Sequence, residues 1–436
     1  MKLTLSDDVV RGFLARCGPE AVVGEIARQP VHVVYGGAHL FSADTPLKLG
    51  DLARRAFEAF AQSPHDLGEA LGLPAEVRVD VHARVRAKLA REPVEDLRID
   101  FEDGFGLRSD DEEDETAQRT AEALATVAAT PGRPLFLGLR IKALDAASAP
   151  RAIRTLDRFV TTLVRRYGSL PERFVVTLPK VTAKEQVAVL LDVIEALEAR
   201  LGVSEMGVEI MVEHAAALLS HDGRVHLPEL VAAARGRCVA AHLGTYDLTA
   251  SVGIAASEQT PDHPIADLAR MWMLTSLSGT GVRLSDGATT VLPIPKHRGA
   301  TLSPAEQAEN RAIVHAAWRR HHDDVRRGLR LGLYQGWDLH PAQLVSRYAA
   351  VFAFFRQALP ASSERLRAFL DKAAQATRVG DVFDDAATGQ GLLNFFLRAH
   401  ACGAIDEAEV RAAGLSLAEL STRSFRHIVD GRTRRG

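Results

Sequence analysis

The sequence predicts an α/β protein: a (β/α)8 barrel with a helical C-terminal extension. Strand-length apolar runs alternate with helix-length amphipathic segments eight times between residues 30 and 345, the count for such a barrel. The run at 135–141 is nearly all apolar, as in a parallel strand buried on both faces. No Gly-x-Gly-x-x-Gly or Walker pattern follows the first run, although a doubly wound open sheet would normally carry one there. The chain therefore divides into an N-terminal helical segment at 1–29, the barrel at 30–345 and a helical extension at 346–436.

Each element has a local reason. Val31–Tyr35 is β-rich and stops at Gly36-Gly37, and helical patterns follow at 51–62 and 77–92. Leu97–Phe101 is the second strand, closed by Glu102-Asp103-Gly104. The acidic run at 109–115 reads as a solvated loop opening the helix at 116–129, where acids favour the N-terminal dipole, rather than as a metal site. The third strand, 135–141, leads to a helix at Ala149–Tyr167. The fourth, Phe174–Leu178, is closed by Pro179-Lys180 and leads to an amphipathic helix ending at Gly202.

Val208–Val212 and Cys238–Gly244 are strands five and six, and they bracket a short helix with proline early and glycine at its end. A helix follows from Pro264. Thr290–Ile294 is the predicted seventh strand, a long capped helix starts at Ser303, and Leu333–Leu339 is the predicted eighth strand. Three or four helical patterns fill the remainder, placed to cap the barrel mouth or to mediate assembly.

Composition narrows the class. The 436 residues are 47% hydrophobic and 25% charged with a net charge of −3, which gives no reason to expect nucleic acid or an anionic membrane as partner. Cys17, Cys238 and Cys402 lie far apart and read as reduced structural thiols. The N-terminus is acidic too early for a signal peptide, and no apolar run approaches the roughly 18 residues of a membrane span, so a cytoplasmic location is expected.

In a barrel, the residues just after each strand meet at one rim, where ligands bind. That rim collects Tyr35 and His39; Glu102 and Asp103; Arg140 and Lys142; Lys180; Glu213 and His214; Tyr246 and Asp247; Lys296 and His297; Asp338 and His340. Ionisable groups crowd the strand ends while the strand bodies read as apolar, and burying charge without partners is costly. The economical reading is a pocket in which carboxylates hold a divalent cation and cations hold an anionic substrate, with Glu213 and Asp247 as the metal ligands. The plainer reading makes Glu213 and Asp247 rim ion pairs with Lys180 and Arg140, and Glu102-Asp103 a turn. Tyr35 and His39 divide between packing and substrate contact. His242 reads as a satisfied core histidine, and His32, His315, His321 and His322 as surface or helix positions.

Six motifs in order sharpen this: IDFEDG at 99–104, LRIK at 139–142, LPKV at 178–181, MVEHAAAL at 211–218, GTYDLTASVG at 244–253 and LHPAQL at 339–344. Together they resemble the HpcH/HpaI aldolase and citrate lyase family, its β-subunit branch above all, within the phosphoenolpyruvate/pyruvate barrel superfamily. The resemblance covers about 95–345. It implies Mg2+ or Mn2+ on Glu213 and Asp247, Arg140 on the substrate carboxylate and enolate oxygen, and Glu102 and Asp103 reaching the metal through waters. It also implies a homo-oligomer. The chain departs from the family at His214, where a threonine is usual, and at Tyr246, where an acid is usual.

The function expected is a metal-dependent carbon–carbon lyase or aldolase acting through an enolate on a small 2-oxo or 3-hydroxy acid or its coenzyme A thioester. Arg140, Glu102, Asp103 and His214 are its candidate catalytic residues. Tyr35, His39, Lys180, Tyr246 and His340, with Arg140, are the candidate substrate contacts. His214, His39, Asp338 or an acid from a neighbouring subunit are candidates for the general base. The alternatives are a condensing enzyme of malate synthase type, with an aspartate base supplied by a C-terminal domain, and a barrel that has lost catalysis and serves in binding or assembly.

Overall fold

The computed structural model describes residues 7–14, 28–299, 301–379 and 386–433. Eight parallel strands close into a barrel in sequence order. They are β1 (His32–Gly37), β2 (Asp96–Asp100), β3 (Phe136–Arg140), β4 (Val175–Leu178), β5 (Gly207–Val212), β6 (Cys238–Leu243), β7 (Arg283–Asp286) and β8 (Gln335–Asp338). β1 pairs with both β2 and β8, which closes the ring. No helix among the described residues is long and apolar enough to cross a membrane.

Side chains alternate across each strand. On the outer face, Val34, Leu97, Ile99, Leu137, Leu139, Val176, Val208 and Ile210 join the hydrophobic core shared with the surrounding helices. The inner face differs from expectation. The strand bodies read as apolar, but Asp96, Arg98, Thr177, Glu209 and His242 are all 0% exposed inside the barrel. They are tolerated because each is paired: Arg98 bonds Asp96, and Glu209 accepts from the Thr177 hydroxyl at 2.7 Å and lies 3.2 Å from His242 Nε2. Alternation itself carried the signal, since Asp96, Arg98 and Asp100 sit two apart on one face.

The seventh strand is a correction. β7 is Arg283–Asp286, and residues 290–294 form loop. The apolar character of Val291, Leu292 and Ile294 misled, because a β-rich run without a ladder partner stays a loop. Lys296 and His297 therefore do not end a strand: they lie in the loop between β7 and the next helix and pair with Glu309 on that helix. The acidic run is a second correction. It is helical from Asp110, with Ser109 as the cap, and Glu113 and Asp114 are buried against Thr155 and the arginines Arg151, Arg154 and Arg158.

His32 is neither surface nor helix: it is buried on β1, 3.4 Å from Asp338. His315, His321 and His322 do lie on the helix Pro304–Leu331, but His321 and His322 are buried there. Cys238 and Cys402 are free thiols, each pushed up to about 12 by burial. Cys17 lies outside the described residues.

Beyond β8, the helix Gln343–Val379 runs unbroken through Pro360. It packs against Pro304–Leu331 and Ala75–Arg91. The helix Ala386–Ala401 reaches the bottom of the barrel, where Arg398 bonds Gln29 beside Val31, Tyr334 and Phe355. The described C-terminal helices therefore buttress the barrel wall and floor instead of capping its mouth.

Candidate active site

The mouth is built from the C-terminal ends of the barrel strands. Asp100, the last residue of β2, folds the segment after it into a tight turn: its carboxylate accepts from the Glu102 N–H at 2.9 Å and the Gly104 N–H at 2.8 Å. Gly37 at the end of β1 must lack a side chain, because a Cβ there would meet the Gly104 carbonyl oxygen at 2.2 Å. The Glu102-Asp103 segment is thus a turn, as the plainer reading had it, and one that also presents both carboxylates at the mouth.

Arg140 ends β3 and is 1% exposed. Its guanidinium bonds Asp100 through Nε at 2.7 Å and Nη2 at 2.5 Å, while Nη1 faces Glu102 at 3.3 Å. It lies 5.1 Å from the centre of the Tyr35 ring and 5.4 Å from that of Trp337, which pack against each other. Asp100 occupies one edge of the fork, and Nη1 also donates to the Met211 sulfur at 3.5 Å.

Tyr35 points differently from expectation. Its hydroxyl turns down into the barrel, donating to Glu209 at 3.0 Å and lying 3.3 Å from His242 Nδ1. Burial and the Glu209 charge push the phenol well above its ordinary value. What Tyr35 shows the mouth is the ring beneath Arg140.

Glu213 follows β5 and is 3% exposed. Burial pushes its carboxyl up to about 7, the charge of Asp247 adds to this, and the Lys180 N–H, donating at 2.5 Å, opposes it. Gly244 lies against it: a Cβ on Gly244 would stand 2.4 Å from Glu213 Cβ and 2.6 Å from Oε2. Asp247 is half-exposed, on the helix Thr245–Ser251 that follows β6. The Lys180 ammonium bonds Glu102, lies 3.3 Å from Asp103 and 3.9 Å from Asp247. Burial pushes the Glu102 carboxyl up; Asp103 is also partly buried, yet its bonds to Glu102 and Lys180 hold it below the ordinary range.

The donor set fits a hard divalent ion. Among the described residues no three His, Cys, Asp or Glu side chains converge tightly enough to hold an ion alone. A Mg2+ ion takes one or two carboxylates and keeps several waters, so such an ion would need no third side chain beside Glu213 and Asp247.

Other expected contacts lie outside this cluster. His214 is exposed, and its Nδ1 caps the short helix Ala215–Leu218 by accepting from the Ala216 N–H. Tyr246 turns toward the segment after β7, donating to the Ala288 carbonyl at 3.1 Å. His340 is half-buried and accepts from the Ala342 N–H. Lys142 reaches outward to Glu113. Asp338 points away from the mouth into the helix layer, bonded to Arg347 and His321, so it is no candidate base. His39 lies tilted against Phe105, ring centres 5.9 Å apart, its Nδ1 buried without a hydrogen-bond partner, and burial and Arg108 hold its ring below the ordinary histidine value. Asp100, Glu209 and Trp337 also build the site, from positions within the strands and not after them.

Among solved structures, the chain is similar to the CitE protein of Mycobacterium tuberculosis in complex with magnesium and pyruvate, at 18% identity and TM-score 0.39, covering 73% of this chain and 89% of that one. It is also similar to malate synthase of Haloferax volcanii: the magnesium/glyoxylate complex at 14% identity and TM-score 0.46, covering 75% and 76%, and the lead(II) complex at 13% identity and TM-score 0.46, covering 92% and 99%. No curated protein matches the chain in sequence. Residues 22–428 match the family described as a domain of unknown function, DUF6986, and the chain belongs to that family.

Proposed function

We propose that this chain is a divalent-metal-dependent enzyme that makes or breaks a carbon–carbon bond beside a carbonyl, through an enolate, on a small 2-oxo or 3-hydroxy acid or its thioester. The observation that carries this is the convergence of Glu213 and Asp247, from neighbouring strand ends, with the Nη1 side of Arg140 and the Glu102-Asp103 turn at one barrel mouth. The order of the six sequence motifs supports it.

The metal, Mg2+ or Mn2+, would supply Lewis-acid stabilisation of the charge that develops on a 2-oxo acid. The chain's own residues do the rest. Arg140 is positively charged, buried and fixed by Asp100, so its guanidinium is held in place before substrate arrives and supplies preorganised charge beside an enolate oxygen. Tyr35 and Trp337 wall the mouth below it and limit water. Of the candidate bases, His214 caps a helix and Asp338 points away from the mouth, which leaves His39 or an acid from a neighbouring subunit. The malate-synthase-type alternative needs an aspartate over the mouth from the C-terminal part, and the described C-terminal helices lie at the wall and floor.

Release of pyruvate, oxaloacetate and glyoxylate from candidate acids, followed with Mg2+ and with or without coenzyme A, tests the reading. The expectation is metal-dependent release by the wild type and background rates for Glu213→Gln. If no acid is turned over, and Mg2+ with oxalate moves the melting temperature of the wild type no more than that of Glu213→Gln, the enzyme reading is wrong.

A further inference from the structure

Lys180 is more than a rim cation. Its ammonium meets carboxylates from two separate strand ends, Glu102 and Asp103 after β2 and Asp247 after β6, and its own N–H donates to Glu213. Its backbone sits at φ 52°, the left-handed region that a residue with a Cβ rarely adopts and that persists only where the surroundings over-determine it. The side chain is 39% exposed, so water is open to it as another resting place. The strained backbone thus aims a single positive charge into the acids that the proposed metal would share.

An ammonium and a divalent ion a few ångströms apart repel strongly, and both seek the same carboxylate oxygens. We propose that Lys180 is an internal counter-cation that holds the acid cluster before the metal loads, and that loading displaces its ammonium from Asp247 and Glu102 toward solvent. The inference rests on Glu213 and Asp247 being the metal ligands. It explains how four acids, Glu102, Asp103, Glu213 and Asp247, can crowd one mouth around a single ammonium-bearing residue. It also means that metal affinity is set partly by the cost of moving Lys180.

The test is Mn2+ titration by calorimetry and electron paramagnetic resonance on the full chain, comparing wild type, Lys180→Met, Lys180→Gln and Glu213→Gln. The neutral variants are expected to bind Mn2+ about tenfold or more tightly than wild type, to melt lower without metal, and to recover on adding it. In the wild type, labelling of the Lys180 amine by acetic anhydride, read by mass spectrometry, is expected to rise when Mn2+ is added, a measurement that needs no variant to fold. Equal or weaker Mn2+ binding by the neutral variants, or labelling unchanged by Mn2+, overturns the counter-cation role, while loss of binding in Glu213→Gln still upholds the metal ligands. Absence of Mn2+ binding in both the wild type and the neutral variants overturns both.

Discussion

Asp100 grips Arg140 by Nε and Nη2 at 2.7 and 2.5 Å, and the same carboxylate folds the Glu102–Gly104 turn. One acid therefore sets both the cation and the acids of the mouth. Removing it in Asp100→Ala leaves a buried guanidinium without its main partner, and the expected loss is about 3–5 kcal/mol in chemical denaturation. Arg140→Lys cannot bridge both Asp100 oxygens and face Glu102, so acid binding should fall even where the fold survives. A loss below about 1 kcal/mol for Asp100→Ala would show that water takes over the pairing.

Tyr35 carries two separable roles. Tyr35→Phe removes the hydroxyl that reaches Glu209 and keeps the ring under Arg140, whereas Tyr35→Leu removes both. The first should cost stability by about 1–2 kcal/mol and leave oxalate affinity in the presence of Mg2+ nearly unchanged. The second should weaken oxalate as well. Equal oxalate affinity in the two variants would rule out support of Arg140 by the ring.

Gly244→Ala tests Glu213 without touching its chemistry. Gly244 has φ −97°, which alanine accepts, but the added methyl would stand 2.4 Å from Glu213 Cβ. The variant should fold with a modest drop in melting temperature and lose most of its Mn2+ binding by calorimetry. Wild-type Mn2+ affinity would mean that Glu213 has room to move and still ligate.

Acid should unfold this protein through its buried carboxylates. Burial opposes it, yet His242 and Arg98 hold the Glu209 carboxyl well below its ordinary 4.5. Asp338, likewise buried, is held well below 3.8 by Arg347, His32 and His321. A depressed folded value means that the stabilisation is complete above the unfolded value and is lost as pH falls below it. Unfolding free energy should therefore drop below pH of about 4.5, by about 1.4 kcal/mol per pH unit for each proton taken up. Glu209→Gln should be less stable at neutral pH and show a shallower acid slope; an unchanged slope would exclude Glu209 as a source.

The sequence by itself determined the barrel and most of its rim. Strand and helix periods are local properties, and a residue just after a strand is placed at the mouth by the topology alone, as Glu213, Arg140, Glu102, Asp103, Lys180 and Asp247 are. What only the tertiary structure decided was where side chains point and what surrounds them. Tyr35 faces down because Glu209 and His242 wait inside, His214 caps a helix, and Asp338 turns outward to Arg347. β7 formed at Arg283–Asp286 because that segment, and not the more apolar 290–294, met ladder partners on β6 and β8. The physical reason is common to all of these: a buried polar group goes where its partner is, and partners such as Glu209 for Tyr35, 174 residues apart in sequence, meet only once the chain has closed.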